Sequence, residues 1–100
     1  MVEVGRAYFV YLLASRFNGT LYVGVTNDLL NRTIQHREHM VEGFTKKHDV
    51  TRLVWYEAYG DINAAILREK QIKNWNRAWR IQLIEKDNPR WDDLYESLFK

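Results

Sequence analysis

Five residues of types able to act on a phosphate ester recur along the chain: Tyr11, Tyr22, Arg32, His36 and Glu69. A guanidinium at Arg32 can clamp a phosphate through two parallel hydrogen bonds. A carboxylate at Glu69 can hold one Mg²⁺, which offsets charge on a leaving oxygen. A tyrosine hydroxyl or His36 can orient and deprotonate an attacking water. A free phenol titrates near ~10, so Tyr11 needs neighbouring positive charge to serve as a base.

Each of the five also has a bland reading. Strand tyrosines commonly keep their hydroxyls in water, Arg32 lies one turn from Asp28, His36 can cap a loop carbonyl, and Glu69 can pair with Lys73 at i+4. What lifts Glu69 is its register. At about 100° per residue, Ile62, Ala65, Ile66 and Ile72 gather on one side of a helix. Glu69 falls within that stripe, where an unpaired carboxylate is costly.

Other chemistries find no support. The chain has no Gly-rich loop ending in Lys-Ser/Thr, no Gly-x-Ser-x-Gly and no His-Glu-x-x-His. It contains no cysteine, which excludes disulfides, thiolate zinc sites and thiol nucleophiles. His36, His39 and His48 suggest zinc only weakly, because no further ligand fits well.

The elements that must position the five residues follow from local patterns. Residues 7–14 form a nearly continuous apolar and aromatic run, suited to a strand covered on both faces, with Phe9, Tyr11 and Leu13 on one of them. Asn18-Gly19 is a hairpin signal, and 21–26 is the return strand, in which Gly24 marks a close approach. Thr26-Asn27-Asp28 starts a helix expected over about 28–39, with Leu29, Leu30, Thr33 and Ile34 as its apolar side. Residues 40–51 read as a loop docked by Phe44 and Thr45. A third strand spans 52–59. Asp61 caps the Glu69 helix, Asn74-Trp75-Asn76 interrupts it, and a helix at about 77–86 is expected to bury Ala78, Ile81 and Ile84. Asn88-Pro89 breaks the chain, and a last amphipathic turn or two packs Trp91, Leu94, Tyr95 and Leu98. The class is α+β: a small three-stranded sheet, a hairpin plus a third strand, packed by helices in the order ββαβαα.

One hundred residues, 46% hydrophobic and 28% charged, suit one domain over 1–100. No apolar run reaches membrane-span length, and Met1 to Arg6 carry no export pattern, so the expected location is cytoplasmic. Net charge is only +2, yet residues 67–80 hold five basic groups against one acidic. Such clustering suits a polyanion, although a solvated helix face has the same composition.

Phe9-Val10-Tyr11 followed by Tyr22-Val23-Gly24 resembles the paired motif of the GIY-YIG nuclease superfamily. The likeness extends through Asn18 to Leu29, Phe44-Thr45-Lys46-Lys47 and Arg68 to Trp75, and is greatest to the short single-domain bacterial members. The resemblance implies a GIY-YIG-type fold and a Mg²⁺- (or Mn²⁺-) dependent endonuclease acting on nucleic acid, with DNA expected, in repair or recombination. It implies Tyr11 and Tyr22 near the nucleophilic water, Arg32 and His36 beside them, and Glu69 as the metal carboxylate. Lys46, Lys47, Arg68, Lys70, Lys73 and Arg77 are the candidate nucleic-acid contacts. The family's downstream Asn has no counterpart at 81–84, Ile-Gln-Leu-Ile, and only Asn74 and Asn76 lie nearby. That departure motivates one alternative, a nucleic-acid-binding module with weak or no cleavage. A protein partner supplying specificity is a further expectation. A second alternative is an interaction protein presenting Trp75, Trp79 and Trp91.

Overall fold

The computed structural model describes residues 7–41 and 43–99. The N-terminal hexapeptide, read above as free of an export pattern, lies outside the described residues. The apolar run becomes strand β1, Tyr8–Ala14, and its return becomes β2, Leu21–Thr26. The third strand, β3, is Arg52–Tyr59. The sheet is antiparallel in the order β2-β1-β3, so β1 is central and covered on both faces, as its unbroken apolar composition predicts. The hairpin turn places Asn18 at φ 56, and Gly19 N–H donates to Arg16 O at 2.9 Å. Gly19 is needed for space: a Cβ there would sit 2.3 Å from Ser15 Oγ.

Helix α1 is Leu29–Arg37, capped by Asp28, whose carboxylate accepts from Asn31 N–H. Asp61 caps α3, Ile62–Asn74, and Asn76 caps α4, Arg77–Asp87, in the same way. Residues 40–51 are not wholly a loop. Phe44–His48 form a short helix, α2, ending at Asp49 in the left-handed conformation. Five residues are too few to show a helical period, so the pattern was illegible. Thr45 docks this segment as expected, but Phe44 remains 46% exposed.

The two faces of the sheet bury different clusters. Val10, Leu12, Val23 and Trp55 pack with Ala65 and Ile72 of α3, Ile84 of α4, and Trp91. On the other face Tyr11, Leu13 and Leu53 pack with Leu29 of α1, Val50, and Leu94 and Leu98 from a closing 3-10 turn at Leu94–Phe99. Three expectations about packing need correction. Ala78 is exposed, and α4 buries Ile84 with Ile81 half-covered. Ile62, at the first turn of α3, is exposed and lines a groove with Ile66 instead of joining the core. Trp91 contributes nothing to a surface: it is fully buried, with its indole N–H donating to Glu85 Oε2 at 2.7 Å. None of the described helices is long and apolar enough to cross a membrane.

Candidate active site

Tyr11 sits mid-way along the central strand, directly opposite Gly24 of β2. Cross-strand partners share a face, so the Tyr11 ring has to cross over position 24. A Cβ at Gly24 would lie 2.5 Å from both Cζ and Oη of Tyr11. The close approach read from the glycine is therefore made by a side chain. The ring is buried and its hydroxyl meets Nε2 of His36 at 3.1 Å. His36 reaches it because Leu29, Thr33 and His36 form the buried stripe of α1. On its other side, His36 Nδ1 lies 3.1 Å from Oγ1 of Thr45, which is buried too.

Tyr22 borders this pair. Its ring centroid is 5.6 Å from that of His36 and 6.4 Å from that of Tyr11, with Phe44 of α2 stacked beyond it. Arg32, one turn before His36, is half-buried and held by Nη1 donating to Gln35 Oε1 at 3.2 Å. It lines a groove of about 520 Å³ together with Asn31, Gln35, Ile62 and Ile66. Glu69 is buried on the core side of α3, between Ala65 and Ile72, as its register requires. It is also paired: Lys73 Nζ stands 2.7 Å from Oε2. Both sequence readings of Glu69, buried and i+4 paired, describe the same side chain.

Burial sets the titration of the central pair. It pushes the Tyr11 phenol up to about 12; the Arg32 guanidinium pulls the other way, while Tyr22 and Glu69 add to the rise. The positive neighbour that a phenolate base requires is present, but desolvation outweighs it. Burial, helped by Arg32, lowers His36 to about 4. At neutral pH the pair is thus an intact phenol beside an uncharged imidazole.

The basic segment divides by partner. Arg77 Nη2 donates to Asn18 O at 2.8 Å and Gly19 O at 2.7 Å, tying α4 to the hairpin turn. Arg80 donates to Ile72 O and Lys73 O and closes the end of α3. Arg68 pairs with Glu57 and lies over the Trp75 ring. Lys70 on α3 and Lys46 and Lys47 on α2 are exposed. The histidines part company: His39 pairs with Asp49, and His48 packs on Phe44. No group of three or more His, Cys, Asp or Glu able to hold a metal occurs among the described residues.

Sequence reasoning singled out neither Thr45 nor Gln35 as site residues, although each contacts one that it did. A buried threonine and a helical glutamine carry no motif of their own, and only the fold shows what they touch. Asn88 is another buried polar group. Its side chain bonds Val54 O and the Asp92 backbone, and fastens the end of α4 to β3.

The central strand's tyrosine hydrogen-bonds a helical histidine and lies beside a second tyrosine, with an arginine one turn back on the same helix and a buried carboxylate on α3. The chain belongs to the GIY-YIG family: residues 7–82 match the GIY-YIG catalytic domain, a span containing all five residues. Among curated proteins it is similar to a UPF0213 protein of Staphylococcus epidermidis, 30% identical over 79% of this chain and 95% of that one. A UPF0213 protein of Pediococcus pentosaceus is 29% identical over 82% of this chain and 85% of that one. The fold is also that of a solution NMR structure, the UPF0213 protein BH0048 of Bacillus halodurans. The TM-score is 0.55 at 23% identity, covering 90% of this chain and 95% of that one.

Proposed function

We propose that this protein is a metal-dependent endonuclease that hydrolyses nucleic-acid phosphodiester bonds, with DNA as substrate, and that residues 1–100 act as one nuclease domain. One observation supports the reading: Tyr11 hydrogen-bonds His36, its ring lies 6.4 Å from that of Tyr22, and its titration responds to Arg32 and Glu69, so four other residues scattered along the sequence bear on it.

In this reading Arg32 clamps the scissile phosphate, held in aim by Gln35. The Tyr11 and Tyr22 hydroxyls hydrogen-bond the phosphate and the attacking water. With its pKa near 12, Tyr11 acts at neutral pH by orienting and donating, not as a phenolate base. Glu69 is the residue that would hold the metal. Mg²⁺ is commonly bound through one or two carboxylates, several waters and substrate phosphate, and a single buried carboxylate fits that pattern. Lys73 engages its Oε2, while Oε1 has no partner among the described residues. A Mg²⁺ or Mn²⁺ ion bound there would supply charge compensation for the leaving oxygen. Lys46, Lys47, Arg68, Lys70 and Lys73 would follow the sugar-phosphate backbone, a sequence-independent mode of contact. Target choice then falls to DNA shape or to a protein partner, consistent with work in cytoplasmic DNA repair or recombination.

A second reading has an observation in its favour. Residues 81–84 offer no Asn, and the Asn76 side chain is spent capping α4. A module that binds nucleic acid and cuts it weakly or not at all would show salt-dependent binding without nicking. One experiment separates the two: supercoiled, linear and branched DNA incubated with Mg²⁺ or Mn²⁺ and wild type, Glu69→Ala or Arg32→Ala. The nuclease reading expects nicking by wild type and loss in both variants. It fails if wild type cuts no form, or if both variants cut normally.

A further inference from the structure

We infer that Thr45 is a positioning residue: it fixes His36 in the tautomer protonated on Nε2, which makes the imidazole a donor to Tyr11 and turns the tyrosine's own proton outward to the substrate phosphate. The part concerning phosphate rests on the nuclease reading above; the tautomer does not.

The argument is one of hydrogen-bond supply. Burial holds His36 uncharged at neutral pH, so its ring carries a single proton shared between two claimants. Oη of Tyr11 faces Nε2 and Oγ1 of Thr45 faces Nδ1, each at 3.1 Å. Were the proton on Nδ1, Thr45 would accept it. Its own buried hydroxyl proton would then have nowhere to go, because the imidazole is its single hydrogen-bond partner among the described residues. Buried polar hydrogens are rarely left so. With the proton on Nε2, Thr45 donates to Nδ1, Nε2–H donates to Tyr11 Oη, and every group is matched. Tyr11 must then aim its proton elsewhere. The nearby guanidinium of Arg32 can only donate to Tyr11, and no acceptor other than the imidazole meets Oη among the described residues. An acceptor arriving beside Arg32, such as a phosphate oxygen, takes that proton's hydrogen bond. No covalent step is involved.

The tautomer can be read without any substrate. Long-range proton–nitrogen correlation spectra of histidine-labelled wild type at pH 7, with His36 assigned by difference against His36→Gln, show which ring nitrogen carries the proton. Nε2 is expected in wild type and in Thr45→Ser, with a mixture in Thr45→Val. A wild-type His36 protonated on Nδ1 overturns the inference. In the cleavage assay, Thr45→Val is expected to lower kcat by about tenfold or more with KM little changed, as displacement of a positioned group does, and Thr45→Ser to restore it. A folded Thr45→Val with wild-type kcat also overturns it. If Thr45→Val does not fold, the wild-type tautomer and the Ser variant still decide. If wild type cuts nothing yet His36 is protonated on Nε2, the nuclease reading falls and the tautomer assignment stands.

Discussion

Gly24→Ala is the smallest change that tests how the site is built. The added methyl lies 2.5 Å from Cζ and Oη of Tyr11, about an ångström inside normal contact. A flexible side chain could swing away, but this ring is packed among Leu13, Leu29 and Leu53 and tethered to His36. Overpacking of this kind costs about 1–3 kcal/mol. Displacing the hydroxyl leaves a buried imidazole nitrogen unmatched, a further ~1–3 kcal/mol. Replacing glycine by alanine in a strand returns roughly 0.5–1 kcal/mol. The expected net loss is about 1–5 kcal/mol in urea unfolding. In a Tyr11→Leu background the atoms that clash are absent, so Gly24→Ala should be neutral or stabilising by up to about 1 kcal/mol. The double-mutant cycle should therefore return a coupling of at least about 1 kcal/mol. A cost below about 0.5 kcal/mol, or the same cost in both backgrounds, would refute the steric argument.

Four further outcomes are expected. His36 has a folded pKa of about 4 against 6.5 for the free side chain, so between those values the unfolded chain binds more protons and stability falls as pH is lowered. The loss approaches about 3 kcal/mol by pH 4, and unfolding of His36→Gln between pH 4 and 7 should lack that component. Glu69→Gln should abolish nicking while shifting the urea midpoint little, since the amide keeps the shape and the Lys73 pair is largely solvent-screened on the lysine side; an active Glu69→Gln would remove the carboxylate from the mechanism. Arg77→Ala should destabilise by about 1–3 kcal/mol through its two turn carbonyls. It should leave the salt dependence of DNA binding unchanged, whereas Lys47→Ala or Lys70→Ala should each lower that slope by about one. Asn88→Ala, which strands the Val54 carbonyl and frees the end of α4, should cost about 2–4 kcal/mol in the same unfolding measurement.

The strands, the caps at Asp28 and Asp61, and the burial of Glu69 were all readable, because each rests on a period or a short-range hydrogen bond. What escaped depends on contacts distant in sequence. Trp91 was readable as packed, but not that its backbone takes φ 58 or that its ring joins the cluster formed by α3, α4 and the sheet. Ala78 keeps the helical period of α4 yet faces solvent, because a short helix packing through Ile84 buries only a narrow stripe. The basic run at 67–80 suggested one cationic face. Arg77 and Arg80 are instead absorbed by backbone carbonyls, a role that charge counting cannot distinguish from a free surface cation. The convergence of Tyr11, Tyr22, Arg32, His36 and Glu69 was legible only as an ordered set; each residue taken singly had an ordinary structural use.

Tyr11 stands on the innermost strand, packed as tightly as any leucine, so the fold depends on it whatever its chemistry. On the nuclease reading, a descendant that abandoned cleavage would still keep this aromatic ring, since losing it would hollow the protein. Its retention among relatives is thus a poor gauge of who remains an enzyme. Arg32 is only half enclosed and braces only Gln35 and Tyr11 among the described side chains, so on the nuclease reading natural variation there is the more informative record of activity kept or given up.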